Sequence, residues 1–167
     1  MQGMAVDPPR PMPTFSFTLE NGAAFRTAPA PGSPMVLFFG YTHCPDVCPT
    51  TLADWKRVAQ RLGDRAERVR FVFVSVDPDR DTPAIAARYA QQFDARFVGV
   101  SGTPETTFQM MTAFGVAASK DSSTTGSGYL VSHSSQVFLV DPLGRLVALY
   151  PFNSGWEALA ADLESLL

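Results

Sequence analysis

Short apolar runs alternate with amphipathic stretches along most of this chain. Apolar residues recur at helical spacing from Pro49 to Gly63, and two later segments of the same kind open with Thr82-Pro83 and Thr103-Pro104, pairs suited to a helix N-terminus. Continuous apolar runs, typical of strands covered on both faces, occupy residues 35–39, 71–76 and 97–100. This alternation of strands and helices predicts an α/β protein with a central mixed sheet.

Both ends of the chain add elements to this pattern. Turn residues flanked by alternating segments predict two β-hairpins, one near the N-terminus and one near the C-terminus. The capping-box spacing of Ser154 and Glu157 predicts the start of a final helix. Residues 1–13 are polar and proline-rich, so we expect a flexible N-terminal arm or linker followed by a single domain over residues 14–167. The predicted hairpins pair residues 15–19 with 24–25 and residues 136–140 with 146–150.

The amino-acid composition and charge of the chain limit the kinds of binding partner that we expect. The 167 residues are 46% hydrophobic and 17% charged, with a net charge of −3, which favours one folded domain. Acidic and basic residues are interspersed, so nucleic acid is not expected as a partner. No apolar run reaches the roughly 18 to 20 residues that span a bilayer. We therefore expect contact with a membrane only through an anchor absent from this sequence.

The two cysteines of the chain, Cys44 and Cys48, lie in the run GYTHCPDVCP at residues 40–49. This run joins the first buried strand to the first long helix, which is where open α/β sheets place their sites. Thiols four residues apart at a helix start share one face, and the helix N-terminus favours their thiolate form. A dithiol at this junction predicts a thioredoxin-like sheet.

A thioredoxin-type oxidoreductase would use the same sheet differently. Its cysteines are separated by two residues, and a cis-proline that blocks metal capture precedes the facing strand. Here three residues separate the cysteines, and the segment 131–136 contains His133 and no proline. A histidine near the position of the cis-proline favours metal binding over disulfide exchange. A structural disulfide is a weaker interpretation, because a cross-link that closes so short a loop constrains the unfolded chain little.

Cys44, Cys48 and His133 together offer two soft thiolates and one imidazole. Thiolates favour Cu(I) and an imidazole helps to hold Cu(II), so this donor set suits copper in both oxidation states. Zinc with His43 as a fourth ligand is the formal alternative, but the spacing matches no zinc-finger pattern. We expect His43 to be a partly exposed residue beside the site. A flexible Ser/Thr/Gly stretch at residues 119–128 precedes His133 and predicts a loop insertion that carries the third ligand.

Three motifs in this order resemble the Sco/SenC family of copper-delivery proteins: GYTHCPDVCP, the segment SVDPDRDTP at residues 75–83, and Ser132-His133-Ser134 followed by FLVDPLGRL. The resemblance runs from about Phe15 to the C-terminus. It implies a thioredoxin-like fold and copper ligands at Cys44, Cys48 and His133. It also implies an anchored protein on the periplasmic side of the bacterial inner membrane, or in the mitochondrial intermembrane space.

The resemblance further implies a function and its partners. The family assembles the binuclear copper centre of cytochrome c oxidase, as a metallochaperone, as a reductant of that centre's cysteines, or as both. The expected partners are the copper-centre subunit of the oxidase and another periplasmic copper chaperone or thioredoxin-like reductant. A thiol-disulfide oxidoreductase and a redox or copper sensor stay open as alternatives, so the sequence does not decide whether the protein is an enzyme.

Two further segments bear on the surroundings of the predicted site. The family usually has an acidic residue immediately before the histidine, whereas this chain has Ser132, which alters the histidine's surroundings without removing a ligand. The segment Asp77 to Asp81 is typical of a strand end, a turn and a helix cap. Its alternative role is to shape the rim of the site or a docking surface through Asp77, Arg80 and Asp81.

Overall fold

The computed structural model of this protein describes residues 1–44, 47–116, 118–121, 130–133 and 136–167. For residues 47, 118–121 and 130–133 it describes the backbone alone. The predicted Ser/Thr/Gly loop falls partly outside this set, since residues 122–128 are not among those described. The prolyl and aspartyl residues between the two cysteines, Pro45 and Asp46, also lie outside it.

A six-stranded mixed sheet forms the centre of the fold, in the order β1-β10-β9-β4-β5-β6. Strands β4, β5 and β6 are parallel, whereas β9 is antiparallel to β4, and β10 and β1 continue antiparallel. The predicted central mixed sheet is therefore confirmed. The described strands are β1 (Met4–Pro11), β2 (Ser16–Thr18), β3 (Ala24–Arg26), β4 (Met35–Gly40), β5 (Arg70–Ser75), β6 (Val98–Val100), β7 (Ala118–Asp121), β8 (Leu130–His133), β9 (Gln136–Val140) and β10 (Arg145–Pro151).

Two small hairpins stand outside the central sheet. Strands β2 and β3 pair with each other in register Phe17 to Phe25, which confirms the predicted N-terminal hairpin. Strands β7 and β8 form the second hairpin, with Ala118 opposite His133. The segment predicted to be a loop insertion thus carries His133 at the end of a strand.

Helices cover both faces of the central sheet. Successive strand residues point to opposite faces, and β4 places Phe38 on one face and Phe39 on the other. Trp55 of the first helix packs edge-on against Phe38, with ring centroids 6.5 Å apart. Phe114 of the third helix packs against Phe39 at 5.5 Å, so these two helices lie on opposite faces. The helices are α1 (Val47–Leu62), α2 (Pro83–Gln91), α3 (Pro104–Phe114) and α4 (Trp156–Leu166), with a 3-10 helix over Gly63–Arg68.

The N-terminal segment differs from the weakly ordered arm expected from its composition. Residues Met4–Pro11 form the edge strand β1, which pairs with β10 through Met4 to Leu149 and Arg10 to Leu146. The register shifts between Ala5 and Arg10, around the prolines of the segment. Proline cannot donate to a ladder and is tolerated at edges and irregularities, which explains how so proline-rich a sequence joins the sheet.

The predicted capping box before the last helix was wrong. Helix α4 begins at Trp156, and its N-terminal cap is Gly155, at a φ of 86°, with no side-chain cap. The Ser154 hydroxyl donates instead to the carbonyl of Pro151. The left-handed backbone at Gly155 directs the Ser154 side chain away from the first turn, so the spacing alone was misleading.

Candidate metal-binding site

The two thiols follow β4, where the parallel strands end. Cys48 lies in the first turn of α1, whereas Cys44 precedes the helix, and its amide donates to the carbonyl of Tyr41 at 3.2 Å. The prediction that both thiols share a helix face was therefore wrong in detail, because α1 begins only at Val47. The fold still brings them together: they form no disulfide, and a hydrogen bond links their side chains.

The two cysteines are buried to different extents. Cys48 is 0% exposed and Cys44 is 9% exposed. Cys48 packs tightly over the last residue of β4: a Cβ atom at Gly40 would lie 2.6 Å from its Sγ and 2.9 Å from ring atoms of Phe38 and Phe73. Close approach therefore favours glycine at position 40, since a Cβ there would have to displace the sulfur and the neighbouring rings.

The pKa of the Cys48 thiol is raised, whereas the sequence predicted a favoured thiolate. The hydrogen bond with Cys44 raises the pKa of Cys48 most, followed by burial and by the charge of Cys44. The prediction of a favoured thiolate considered the helix start but not this burial. Two thiolates in so covered a place repel each other. A bound cation would offset that repulsion, which is how buried thiols become metal ligands.

A buried carboxylate fixes the turn that carries Cys44. Asp81, 0% exposed, accepts from the Thr42 amide at 3.0 Å and from the Thr42 hydroxyl at 2.5 Å. It also accepts from the Ser75 hydroxyl at the end of β5, at 2.8 Å. Asp81 therefore links the turn after β4 to the end of β5 and the start of α2.

The rest of the segment from Asp77 to Asp81 combines local structure with contacts to the residues before Cys44. The Asp77 carboxylate, also buried, pairs with Arg80 at 2.5 Å, and the Arg80 guanidinium lies 5.9 Å from the centre of the Tyr41 ring. Thr82 caps α2 by accepting from the Ile85 amide. The segment is thus a turn and a helix cap, and its buried carboxylates also support the residues around Cys44.

The backbone places His133 near this end of the sheet. It is the last residue of β8 and lies three residues before Gln136, where β9 begins. Val137 is paired with Phe38, so the start of β9 lies beside the end of β4. Three residues span at most about 11 Å. The side chains of His133 and Ser132 lie outside the described residues.

The other histidine is exposed, as expected, and its Nδ1 lies 3.4 Å from the Thr42 hydroxyl. Within the described part of the chain, no three Cys, His, Asp or Glu side chains are grouped closely enough to hold a metal ion. Of the three predicted ligands, the structure describes the side chains of the two cysteines. The third predicted ligand, His133, stays a prediction.

Comparison with known proteins identifies the relatives of this site and fold. The family model described as SCO1/SenC matches residues 5–167. The chain belongs to the SCO1/SenC family. The structure confirms the thioredoxin-like α/β fold that the family resemblance implied, since solved Sco structures superimpose on nearly the whole chain.

Two of these Sco structures are especially similar. The apo Sco1 protein of Thermus thermophilus has a TM-score of 0.87 and 39% identity, covering 100% of this chain and 97% of that one. ScoI of Bradyrhizobium japonicum, solved with copper bound, has a TM-score of 0.82 and 38% identity, covering 93% of this chain and 99% of that one.

Among curated relatives, the mitochondrial SCO2 homolog of Bos taurus is 35% identical over 140 residues, which cover 81% of this chain and 52% of that protein. The chain thus spans about half the length of this mitochondrial Sco relative. Among the described residues of this Sco chain, no helix has the length and apolar character needed to cross a bilayer.

Sequence reasoning missed two features that build the site in this Sco protein. One is the contact of Asp81 with Thr42, which joins residues 39 positions apart. The other is the tight fit of Cys48 over Gly40. The signal for the second was present, because a glycine directly after a buried apolar strand often marks a close approach. No local sequence pattern indicates the contact of Asp81 with Thr42.

Proposed function

We propose that this protein binds copper through Cys44, Cys48 and His133 and delivers it to the binuclear copper centre of cytochrome c oxidase. The observation that carries the proposal is the buried pair of thiols, not joined by a disulfide, in contact at the start of α1. Such a pair loses its protons most readily to a soft cation, and thiolates select Cu(I).

The position of His133 supports its role as the third ligand. Its backbone is three residues from the start of β9, which lies beside the end of β4 and so beside the thiols. An imidazole added to two thiolates allows Cu(II) to be held as well as Cu(I). The copper-bound relative from Bradyrhizobium japonicum, at 38% identity, supports copper as the cargo.

Membership of the SCO1/SenC family supports the oxidase subunit as the recipient of the copper. We propose the same setting that the family resemblance implies: the protein faces the periplasm and is anchored to the inner membrane. A second copper chaperone or a thioredoxin-like reductant would then supply the metal or keep the thiols reduced.

The test is copper stoichiometry combined with absorption spectroscopy on the reduced protein. We expect one copper per chain and a sulfur-to-Cu(II) charge-transfer band. The variants Cys44→Ser and Cys48→Ser should lose the band, and His133→Ala should keep the fold while retaining Cu(II) at least 10-fold more weakly. His43→Ala is the matched control and should behave as the unchanged protein. A His133→Ala variant with unchanged Cu(II) affinity and spectrum would remove His133 from the ligand set.

Contact between the two thiols also favours a second candidate, thiol-disulfide exchange. The Cys44 thiolate would attack a disulfide of the recipient, and Cys48 would then resolve the mixed disulfide. The recipient would gain two thiols and the Cys44–Cys48 pair would be oxidised. Copper needs both thiols reduced, so oxidation of the pair should abolish copper binding under the first proposal. An oxidised protein that binds copper equally well would contradict it, and turnover of a disulfide substrate would favour the second.

A further inference from the structure

A groove lies beside the dithiol, between α1, α4 and the end of β10. Tyr150 of β10 is paired with Val137 of β9, which is itself paired with Phe38 of β4. The groove therefore opens at the edge of the sheet where β4 ends and the two cysteines follow. Its wall on α1 begins at Thr51, one helical turn after Cys48. A protein seated in the groove is consequently next to the metal site.

Apolar side chains form much of this groove. Trp55 and Leu159 are buried beneath it, whereas the ring of Phe152 is 40% exposed in the turn between β10 and α4. Trp156, at the start of α4, is half-buried. The groove holds about 420 Å³ of space, including the part open to solvent. An exposed aromatic ring beside buried apolar side chains is typical of a surface that docks another protein.

The rim of the groove is acidic. Among the described residues that line it, Asp54 is the one that carries a charge. The Glu157 carboxylate lies beside the same rim, with its Oε2 3.1 Å from the position that a Cβ at Gly155 would take. Arg57 offsets these charges only in part, through an exposed ion pair with Asp54 at 3.8 Å. The rim thus keeps a net negative charge and fits a partner that presents a lysine or an arginine.

The pKa of Asp54 reflects the same surroundings. Burial raises this pKa most, the charge of Arg57 lowers it, and the charge of Glu157 raises it again. The two carboxylates of the rim therefore influence each other. A further cation placed between them is favoured, because it offsets their repulsion.

We propose that this groove is the docking surface for the copper-accepting domain of the oxidase, which inserts an apolar side chain beside Phe152 and sets a lysine or arginine against Asp54 and Glu157. The inference rests on the proposed function, because it takes the recipient of the copper as the partner. Docking there holds the recipient at the sheet edge that carries Cys44 and Cys48. The apolar contact supplies most of the affinity, and the charges guide the approach.

The experiment uses the two tryptophans of the chain, Trp55 and Trp156, because both line the groove and their indole N–H signals report on its occupancy. Reduced, metal-free, isotopically labelled protein is titrated with the metal-free copper-centre domain of the oxidase subunit, and both signals are followed by NMR. We expect both to shift until binding is saturated. In Phe152→Ala the dissociation constant should rise about 10-fold. Asp54→Asn combined with Glu157→Gln should raise it about 3-fold and remove most of its salt dependence.

Helix α3, on the opposite face of the sheet, offers matched controls. Phe108→Ala removes a ring that is 71% exposed. Glu105→Gln removes a carboxylate from the first turn of α3, as Glu157→Gln does from the first turn of α4. Neither control should change the dissociation constant. Thermal midpoints check that every variant is folded.

Separate outcomes decide the docking surface and the copper proposal. An unchanged dissociation constant in Phe152→Ala, or recipient binding that moves neither indole signal, would overturn the docking inference. Absence of recipient binding would overturn it too, as would indole shifts on dilution of the protein alone, which indicate a second copy in the groove. Copper transfer to the same domain is measured separately. Docking in the groove without any transfer of copper would contradict the proposed delivery and leave the docking surface in place.

Discussion

Two buried aspartates link distant parts of this chain, with different consequences. Asp81 holds the turn that carries Cys44, through the amide and hydroxyl of Thr42. Asp162 of α4 accepts from the amides of Gln2 and Gly3, at 2.6 to 2.9 Å, and from the Tyr150 hydroxyl. One carboxylate orders the surroundings of the thiols, whereas the other fastens the segment that leads into the edge strand β1.

The comparison shows that a buried carboxylate can position a neighbouring segment and also stabilise the fold. In each case a carboxylate replaces water as the acceptor for backbone amides and a hydroxyl, which makes its removal costly. Only the contact of Asp81 lies next to reactive groups. Substitutions at the two aspartates should therefore separate loss of stability from loss of the site.

Substitution of Asp81 by Asn should have the largest effect. The amide places a donor against the donors of Thr42 and Ser75, so we expect the free energy of unfolding to fall by about 3 kcal/mol. The turn before Cys44 should also loosen, with copper affinity reduced at least 10-fold. Urea unfolding and copper titration measure the two effects. Unchanged copper affinity in a folded Asp81→Asn protein would contradict the positioning role of Asp81.

The Asp162→Asn substitution should cost less, about 2 kcal/mol, because water can reach the part-buried amides of Gln2 and Gly3. Copper stoichiometry and spectrum should not change, since the hydrogen-bond partners of Asp162 among the described residues lie in α4, β10 and the N-terminal segment. The same urea and copper measurements apply. Altered copper binding here would show that the two regions are coupled, and the contrast between the aspartates would fail.

The smallest effect is expected from added methyl groups at two tight glycines. In Gly40→Ala the new Cβ would approach Cys48 Sγ to 2.6 Å, and in Gly3→Ala it would approach the Tyr150 ring to 2.5 Å. Each should cost about 1 kcal/mol or somewhat more through overpacking.

Only Gly40→Ala should change the charge-transfer spectrum of bound Cu(II), because only there does the displaced atom belong to the site. Gly3→Ala is its matched control, with an equally close approach far from the thiols. A normal copper spectrum in Gly40→Ala would mean that the sulfur tolerates the shift, and would exclude a strict packing requirement at Gly40.

The features that sequence predicted well are local. The apolar runs at residues 35–39, 71–76 and 97–100 correspond to β4, β5 and β6, and the proline-opened segments correspond to α2 and α3. Local periodicity and turn chemistry determine these elements. The dithiol was placed correctly at the junction of β4 and α1, because the motif lies between a buried run and a helical one.

The features that sequence did not predict depend on distant contacts. Strand β1 forms because it pairs with β10, about 140 residues later in the chain, despite a composition typical of a linker. The raised pKa of Cys48 depends on burial among strands and on contact with Cys44, which no local pattern reports. The domain limits at residues 13 and 14, and the ligand role of His133, stay predictions.

The two sulfurs of the site differ in solvent exposure, so they differ in accessibility to an incoming group. Cys48 is fully enclosed at the start of α1, whereas Cys44 keeps a small exposed area. We therefore expect an incoming group to meet Cys44 before Cys48. For the experimenter, the same asymmetry makes Cys44 the natural point for attaching a single fluorescent dye to the native sequence.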